Sequence, residues 1–223
     1  MRQSIRCSVA CTVFASLFAC GDNAPAPKLP TPPVAPPRAP SLSSPTPAVT
    51  PAAQAVEWSN DNNSTAASDS AVLSVAGLTA PKPVAWTWVK PSVQFRTLQY
   101  TVAGGADSTS AADLIVSVFK SGDGGPIDAN IERWRGQFRK GEAMADAKTS
   151  KTEVQGMPVT RVELEGDYLS MGSPAPKVGF MQLAAIVEAP GRNVFFRLTG
   201  PKATVEATRG AFDALVEGIR EGR

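Results

Sequence analysis

Eleven of the chain's twenty prolines fall between residues 25 and 51, a stretch with two charges, Lys28 and Arg38. Proline fixes φ and removes a backbone donor, so such a run extends as polyproline II and cannot continue a helix or a central strand. Small and polar residues fill most of the remainder, leaving too little apolar surface for a core. The run reads as a semi-rigid, solvated spacer and a passive linker; its 27 residues, at about 3.1 Å each, reach at most ~80 Å. Residues 57–70, EWSNDNNSTAASDS, continue it in polar and small residues. A packed fold is therefore expected from about Ala71 onward, as one globular α+β domain over 71–223, with residues 20–70 as spacer and 1–19 as a separate leader.

The leader has its own pattern. Arg2 and Arg6 precede thirteen uncharged residues, CSVACTVFASLFA, at 7–19. That run is short for a membrane span, which takes about 20 residues, and suits the apolar region of a signal peptide. It ends Leu17-Phe18-Ala19-Cys20, which resembles the lipobox of bacterial lipoproteins. The resemblance implies recognition of Leu17 and Ala19 by a dedicated signal peptidase, cleavage before Cys20, and acylation of the Cys20 thiol and its new amino group. The competing readings are an ordinary signal peptide cut after Ala19, whose A-x-A pattern Leu17 fits poorly, and an uncleaved anchor. Two or three acyl chains hold a protein stably on a bilayer, where one does not. Gly21 follows the cysteine where aspartate would mark inner-membrane retention, which by the same resemblance favours the outer membrane, facing the periplasm or the cell surface.

Composition narrows the chemistry. There is no histidine, which removes His-based triads, imidazole proton shuttles and His metal ligands. The three cysteines, Cys7, Cys11 and Cys20, all precede the spacer, so the remainder can form no disulfide or thiolate metal site. With Arg2 and Arg6 set aside, twenty basic residues face twenty acidic ones, a balance without the footprint of a nucleic-acid binder. No cofactor is implied.

Beyond residue 71 the pattern becomes that of a sheet with helices. Strand-like runs occupy 84–90, 93–103, 113–120, 158–165, 178–189 and 193–199, with one more expected near 71–77. Leu98, Tyr100 and Val102 alternate, as do Met181, Leu183, Ala185 and Val187, which predicts half-buried strands. Leu114-Ile115-Val116 and Val194-Phe195-Phe196 are apolar on both faces, which predicts central strands covered on each side. Gln155-Gly156-Met157-Pro158 reads as a turn between neighbouring strands. A helix is expected over 126–140, with Ile127, Ile131, Trp134 and Phe138 on one stripe, and another over 202–221, with Val205, Phe212, Leu215, Val216 and Ile219 on one stripe. Arg209 and Asp213 are expected to pair at i, i+4. Short links in the order β-β-β-α-β-β-β-α favour an antiparallel sheet flanked by two helices.

Several of these residues together resemble a group of uncharacterised bacterial envelope lipoproteins. They are Gly124-Gly125 followed by Asn130, Arg133, Trp134 and Gln137, with Trp86 and Trp88 ahead, Gly156–Pro158 between, and Phe196-x-Leu198-Thr199-Gly200-Pro201 before the last helix. The resemblance covers roughly 80–223 and is similar in fold to the PsbP-like sandwich. It implies a binding or assembly role by fold analogy alone.

The candidate binding residues follow from position. Asn130, Arg133 and Gln137 lie close together on the expected helix and could grip a ligand or partner. Alternatively, Asn130 and Gln137 hydrogen-bond neighbouring loops while Arg133 covers Trp134 or pairs with an acid. Trp86 and Trp88 point to one side of a strand, as a platform or as core. The loop 166–177 carries Tyr168 and Met171 and is the expected contact surface. Ser117-x-x-Lys120 is set aside, because i and i+3 on a strand face opposite ways and its companion motifs are missing. Gly122-Asp123-Gly124-Gly125 fits no phosphate-binding motif, and Asp61-Asn62-Asn63 lacks the glycine and glutamate of a calcium loop.

These readings converge on a non-catalytic, lipid-tethered binding or assembly module of the cell envelope. Its partners would be the bilayer, through acylated Cys20, and an envelope protein or small ligand, with no nucleic acid. The competing reading is a His-free carboxylate enzyme such as a glycan hydrolase, which needs two carboxyls facing each other about 5–10 Å apart.

Overall fold

A computed structural model describes residues 58–68, 70–104 and 110–222. The leader, Cys20 and the proline run lie outside the described residues.

The runs with apolar residues on both faces form the middle of the sheet. Ala112–Lys120 (β5), Lys177–Ala189 (β10) and Arg192–Pro201 (β11) lie side by side, flanked by Leu98–Val102 (β4) and Met157–Tyr168 (β9). Thr87–Val89 (β3) closes one edge. Beyond β9 come Phe138–Lys140 (β6) and Ala143–Met144 (β7), while Lys148–Val154 (β8) pairs with the other stretch of β9. All nine strands pair antiparallel. Val72–Val75 (β1), Leu78–Pro81 (β2) and Arg220–Glu221 (β12) form a separate three-stranded sheet.

Two helices cover opposite faces of the large sheet. Lys202–Glu217 (α2) buries Val205, Phe212, Leu215 and Val216 against Leu114, Met181, Leu183, Phe196 and Leu198. Ile127–Arg135 (α1) buries Ile131 and Trp134 against Val162, Leu164, Ala184, Ile186 and Phe195. Successive strand residues alternate faces, so each central strand feeds both clusters. The antiparallel sheet flanked by two main helices is thus present as expected.

Several boundaries differ from the sequence reading, each for a visible reason. The first helix stops at Gly136 instead of running to 140. Phe138 keeps its place in the apolar cluster but reaches it from β6, whose backbone pairs with the end of β9. The second helix stops at Gly218; Ile219 stays buried, and Arg220–Glu221 pair with β2. The strand β8, KTSKTEV, is exposed at six of seven positions and carries no apolar alternation to betray it. Its turn into β9 is tight, with Gln155 at φ 51° and Gly156 at φ 78°, the left-handed pair that a two-residue hairpin requires.

The folded region also begins earlier than Ala71. Ser64 is buried and its Oγ accepts the Ser74 N–H at 2.8 Å, and Asn63 Oδ1 accepts the Ala76 N–H at 2.7 Å. Trp58 Nε1–H donates to the Gly191 carbonyl at 3.1 Å. Polar side chains here satisfy the backbone of β1, a role that composition does not announce.

Under α2 the expected Arg209–Asp213 pair is replaced by bonds to the sheet and, for Arg209, by one within the helix. Arg209 meets Glu163 at 2.9 Å and Glu206 at 3.1 Å, Asp213 meets Arg161, and Lys148 meets Glu163 at 2.8 Å. Burial alone would raise the Glu163 carboxyl; its bonds to Lys148 and Arg209 outweigh that and hold it below the usual carboxylate range. A carboxyl depressed in the folded state stabilises above its unfolded value, and that contribution is lost as pH falls through the folded one. Wild-type stability should therefore decline below about pH 4.3. Glu163→Gln should cost roughly 1 kcal/mol at neutral pH and flatten the acid limb. Urea titrations at stepped pH measure both, and identical acid limbs would remove Glu163 from the account.

Candidate functional site

Phe195, Arg197 and Thr199 alternate to the α1 side of β11. The helix covers only part of that face. Val162, Leu164, Ala184, Ile186 and Phe195 are buried beneath it, whereas Gln99, Thr101, Ile115 and Ser117, on β4 and β5, stay half-buried. Arg197 stands at the step between the two parts, level with Ile115 and, one strand further, with Gln99.

The half-buried Arg197 guanidinium is held entirely by neutral groups. Its Nε and Nη2 donate to Gln182 Oε1 at 3.1 and 2.7 Å, and Nη2 also donates to Gln137 Oε1 at 3.1 Å. The Trp134 ring lies 5.1 Å away in cation–π contact. Burial, then the nearby charges of Arg133 and Arg96, push its pKa down, and Tyr168 opposes that.

Three of the expected patch residues thus meet at one group that sequence analysis missed. Gln137 holds Arg197, and Tyr168 and Arg133 lie close enough to act on its charge. Asn130 is the fourth, one layer back. It is 1% exposed, and its Nδ2 donates to the carbonyls of Gly124, Gly125 and Pro126 at 2.9, 3.3 and 2.9 Å. Its Oδ1 accepts from Arg133 Nη2. Asn130 therefore ties the glycine turn to the helix and aims Arg133. Gly124, at φ 79°, permits the tie: a Cβ there would lie 2.7 Å from the Phe119 ring.

A chain of rings walls the site. Phe95 and Phe119 are 6.0 Å apart, Phe119 and Phe195 5.5 Å, and Phe195 and Trp134 6.2 Å. Phe95 is 66% exposed and sits at φ 67°, an outlier for a bulky residue. Its neighbour Arg96 donates to Gln99 Oε1 at 2.8 Å. On the other side Tyr168 stacks on Phe180 at 6.0 Å, and the loop beyond it exposes Leu169 and Met171. The signal that could have found Arg197 is a charge set into a run apolar on both faces, Val194-Phe195-Phe196-Arg197-Leu198.

Trp86 and Trp88 lie elsewhere. Trp88 is paired with Tyr100 in register, and both tryptophans pack with the α2-side cluster, on the opposite face of the sheet from Arg197. They line a cleft of about 230 Å³ with Tyr100 and Lys82. Lys82 Nζ, over the Tyr100 ring at 5.3 Å, donates to the carbonyls of Ser70, Pro83 and Trp86. A separate cleft of about 440 Å³ is lined by Asp128, Glu132 and Asp146, with Arg135 and Lys151 among them. There Arg135 holds Glu132 at 2.8 Å. Among the described residues no group of three His, Cys, Asp or Glu is placed to hold a metal ion.

No family model and no curated protein matches the chain. Among solved structures it is similar to the cyanobacterial PsbP protein CyanoP of Synechocystis sp., with 14% identity over 71% of this chain and 97% of that one, at a TM-score of 0.46. A protein of unknown function from Pseudomonas aeruginosa is 12% identical over 59% of this chain and 94% of that one, at 0.41. A Bacteroides thetaiotaomicron protein is 9% identical over 66% of this chain and 46% of that one, at 0.39. With TM-scores below 0.5, these chains say nothing of what the present one does.

Proposed function

We propose that the chain is a lipoprotein whose folded part is a PsbP-like, non-catalytic binding or assembly module, tethered to the cell envelope by acylated Cys20. The observation that carries the binding role is the convergence of Arg197, Gln137, Tyr168 and Arg133 beside a half-buried stretch of sheet that no helix among the described residues covers. Polar side chains gathered there, with an aromatic wall, suit the reception of a ligand or a partner segment.

The tether and the binding face are tested separately. Labelled palmitate should enter the wild type and be absent from Cys20→Ala; equal labelling would end the lipoprotein reading. A photoreactive residue in place of Ser117, on the open sheet, should yield one reproducible adduct in native membranes, and the same residue in place of Ser150 should not. Adducts from both positions, or from neither, would count against this face.

A further inference from the structure

We infer that the open part of the sheet beside α1 is an oxyanion site, taking the carboxylate or phosphate group of an organic anion whose apolar body rests against the Phe95–Phe119 wall. This deepens the binding reading above and rests on it.

Six arginines of the described residues are buried or half-buried: Arg96, Arg135, Arg161, Arg192, Arg197 and Arg209. Four of them meet a carboxylate: Arg135 with Glu132, Arg161 with Asp213, Arg192 with Glu221 and Arg209 with Glu163. Arg96 and Arg197 do not; among the described residues, each hydrogen-bonds only to neutral side chains. A charge withdrawn from water without a counter-charge is destabilising. Among the described residues, a counter-charge meets every other such arginine and none meets the two on this face.

Arg133, exposed and held by Asn130, adds a third guanidinium near enough to act on the Arg197 charge. The acid on this face of β5, Asp113, is engaged by Gln99 Nε2 at 3.4 Å and forms no ion pair with any of the three. Gln182 and Gln137 occupy Nε and Nη2 of Arg197, so its guanidinium plane is set before a ligand arrives and Nη1 is the nitrogen left to donate. With the remaining donors of Arg96 and Arg133, fixed positive groups of this kind suit the oxygens of carboxylate and phosphate. The wall gives the site its second requirement. Phe95 keeps a backbone conformation that bulky residues avoid while presenting most of its ring to solvent. Strain of this kind persists where surrounding structure holds it, and gathers at ligand sites. Ile115, half-buried between the wall and Arg197, supplies an apolar floor.

The test uses the full chain and four probes at matched ionic strength: sodium benzoate, acetate, inorganic phosphate and chloride. The readout is the indole N–H resonance of Trp134, assigned through Trp134→Phe. Benzoate should shift it saturably, acetate and phosphate saturably but at least threefold more weakly, and chloride not at all. Arg197→Gln removes a packed contact and can disturb the fold. Arg96→Gln and Arg133→Gln therefore carry the test, and each should weaken benzoate at least fivefold with an unchanged spectrum elsewhere. A shift that fails to saturate, that chloride reproduces, or that survives both substitutions would overturn the oxyanion site. If the Ser117 adduct forms while benzoate neither binds nor competes with it, this inference falls and the binding face remains. If benzoate binds and no adduct forms, the oxyanion site stands and the partner reading falls.

Discussion

Trp134→Ala should lower the unfolding free energy by about 3–5 kcal/mol, read from urea denaturation followed by circular dichroism. The side chain is 1% exposed and is the largest member of the cluster that fixes α1 to the sheet. Its edge-on contact with Phe195 and its ring beneath Arg197 both disappear with it. Alanine there leaves a void that α1 can close only by moving, and β6, joined to α1 through Gly136 and Gln137, would have to follow. Trp134→Phe should cost less than half as much. It keeps a ring beneath Arg197, and the indole N–H it removes is buried without a partner among the described residues. Equal losses from the two substitutions would show that indole volume, not the ring contact, governs the site.

Asn130→Ala should cost roughly 2–3 kcal/mol, with a further effect that Trp134→Ala does not share. One amide serves the Gly124, Gly125 and Pro126 carbonyls and the Arg133 guanidinium at once. Its loss takes that donor from the Gly124 and Gly125 carbonyls at the start of the helix, leaves Pro126 only the Asn130 backbone N–H, and releases Arg133 from its orientation. Benzoate affinity should therefore fall together with stability. Asn130→Asp separates the two effects. The carboxylate keeps the bond to Arg133 but sets negative charge against three carbonyl oxygens, so stability should fall at least as far while Arg133 stays in place. An Asn130→Ala variant of wild-type stability would directly contradict the role of Asn130 as the tie between glycine turn and helix.

What could be read from the sequence, and what could not, follows one physical division. The central strands were legible because burial on both faces forces continuous apolar runs, as at Val194-Phe195-Phe196; Leu114-Ile115-Val116 reads the same way, but the face that Ile115 takes is only half-buried and not covered as expected. Strand β8 was not, because its pairing is made by backbone groups while its side chains face water. Phe138 satisfies a helical spacing and a strand position equally well, and only the pairing of its neighbours with β9 decides between them. At the site, Asn130, Arg133 and Gln137 were grouped because helical proximity is local. Arg197 lies sixty positions beyond Gln137, and no local pattern records such a contact. The segment from Trp58 to Ser68 was read as spacer for the same reason: its polar residues bond to β1 and to Gly191, partners outside its own window.

The corner at Arg192 has a consequence of another kind. This arginine, fully enclosed, lies 6.0 Å from the Trp58 ring and 2.9 Å from the Glu221 carboxylate. One side chain thus touches the first and nearly the last of the residues described here. The folded region closes on itself like a ring with a clasp. A short bridge across the clasp, with new termini opened in the loop after Tyr168, would leave the pairing of every strand uncut. Such a rearranged chain would enter the fold beside Arg197 instead of at the corner it uses now.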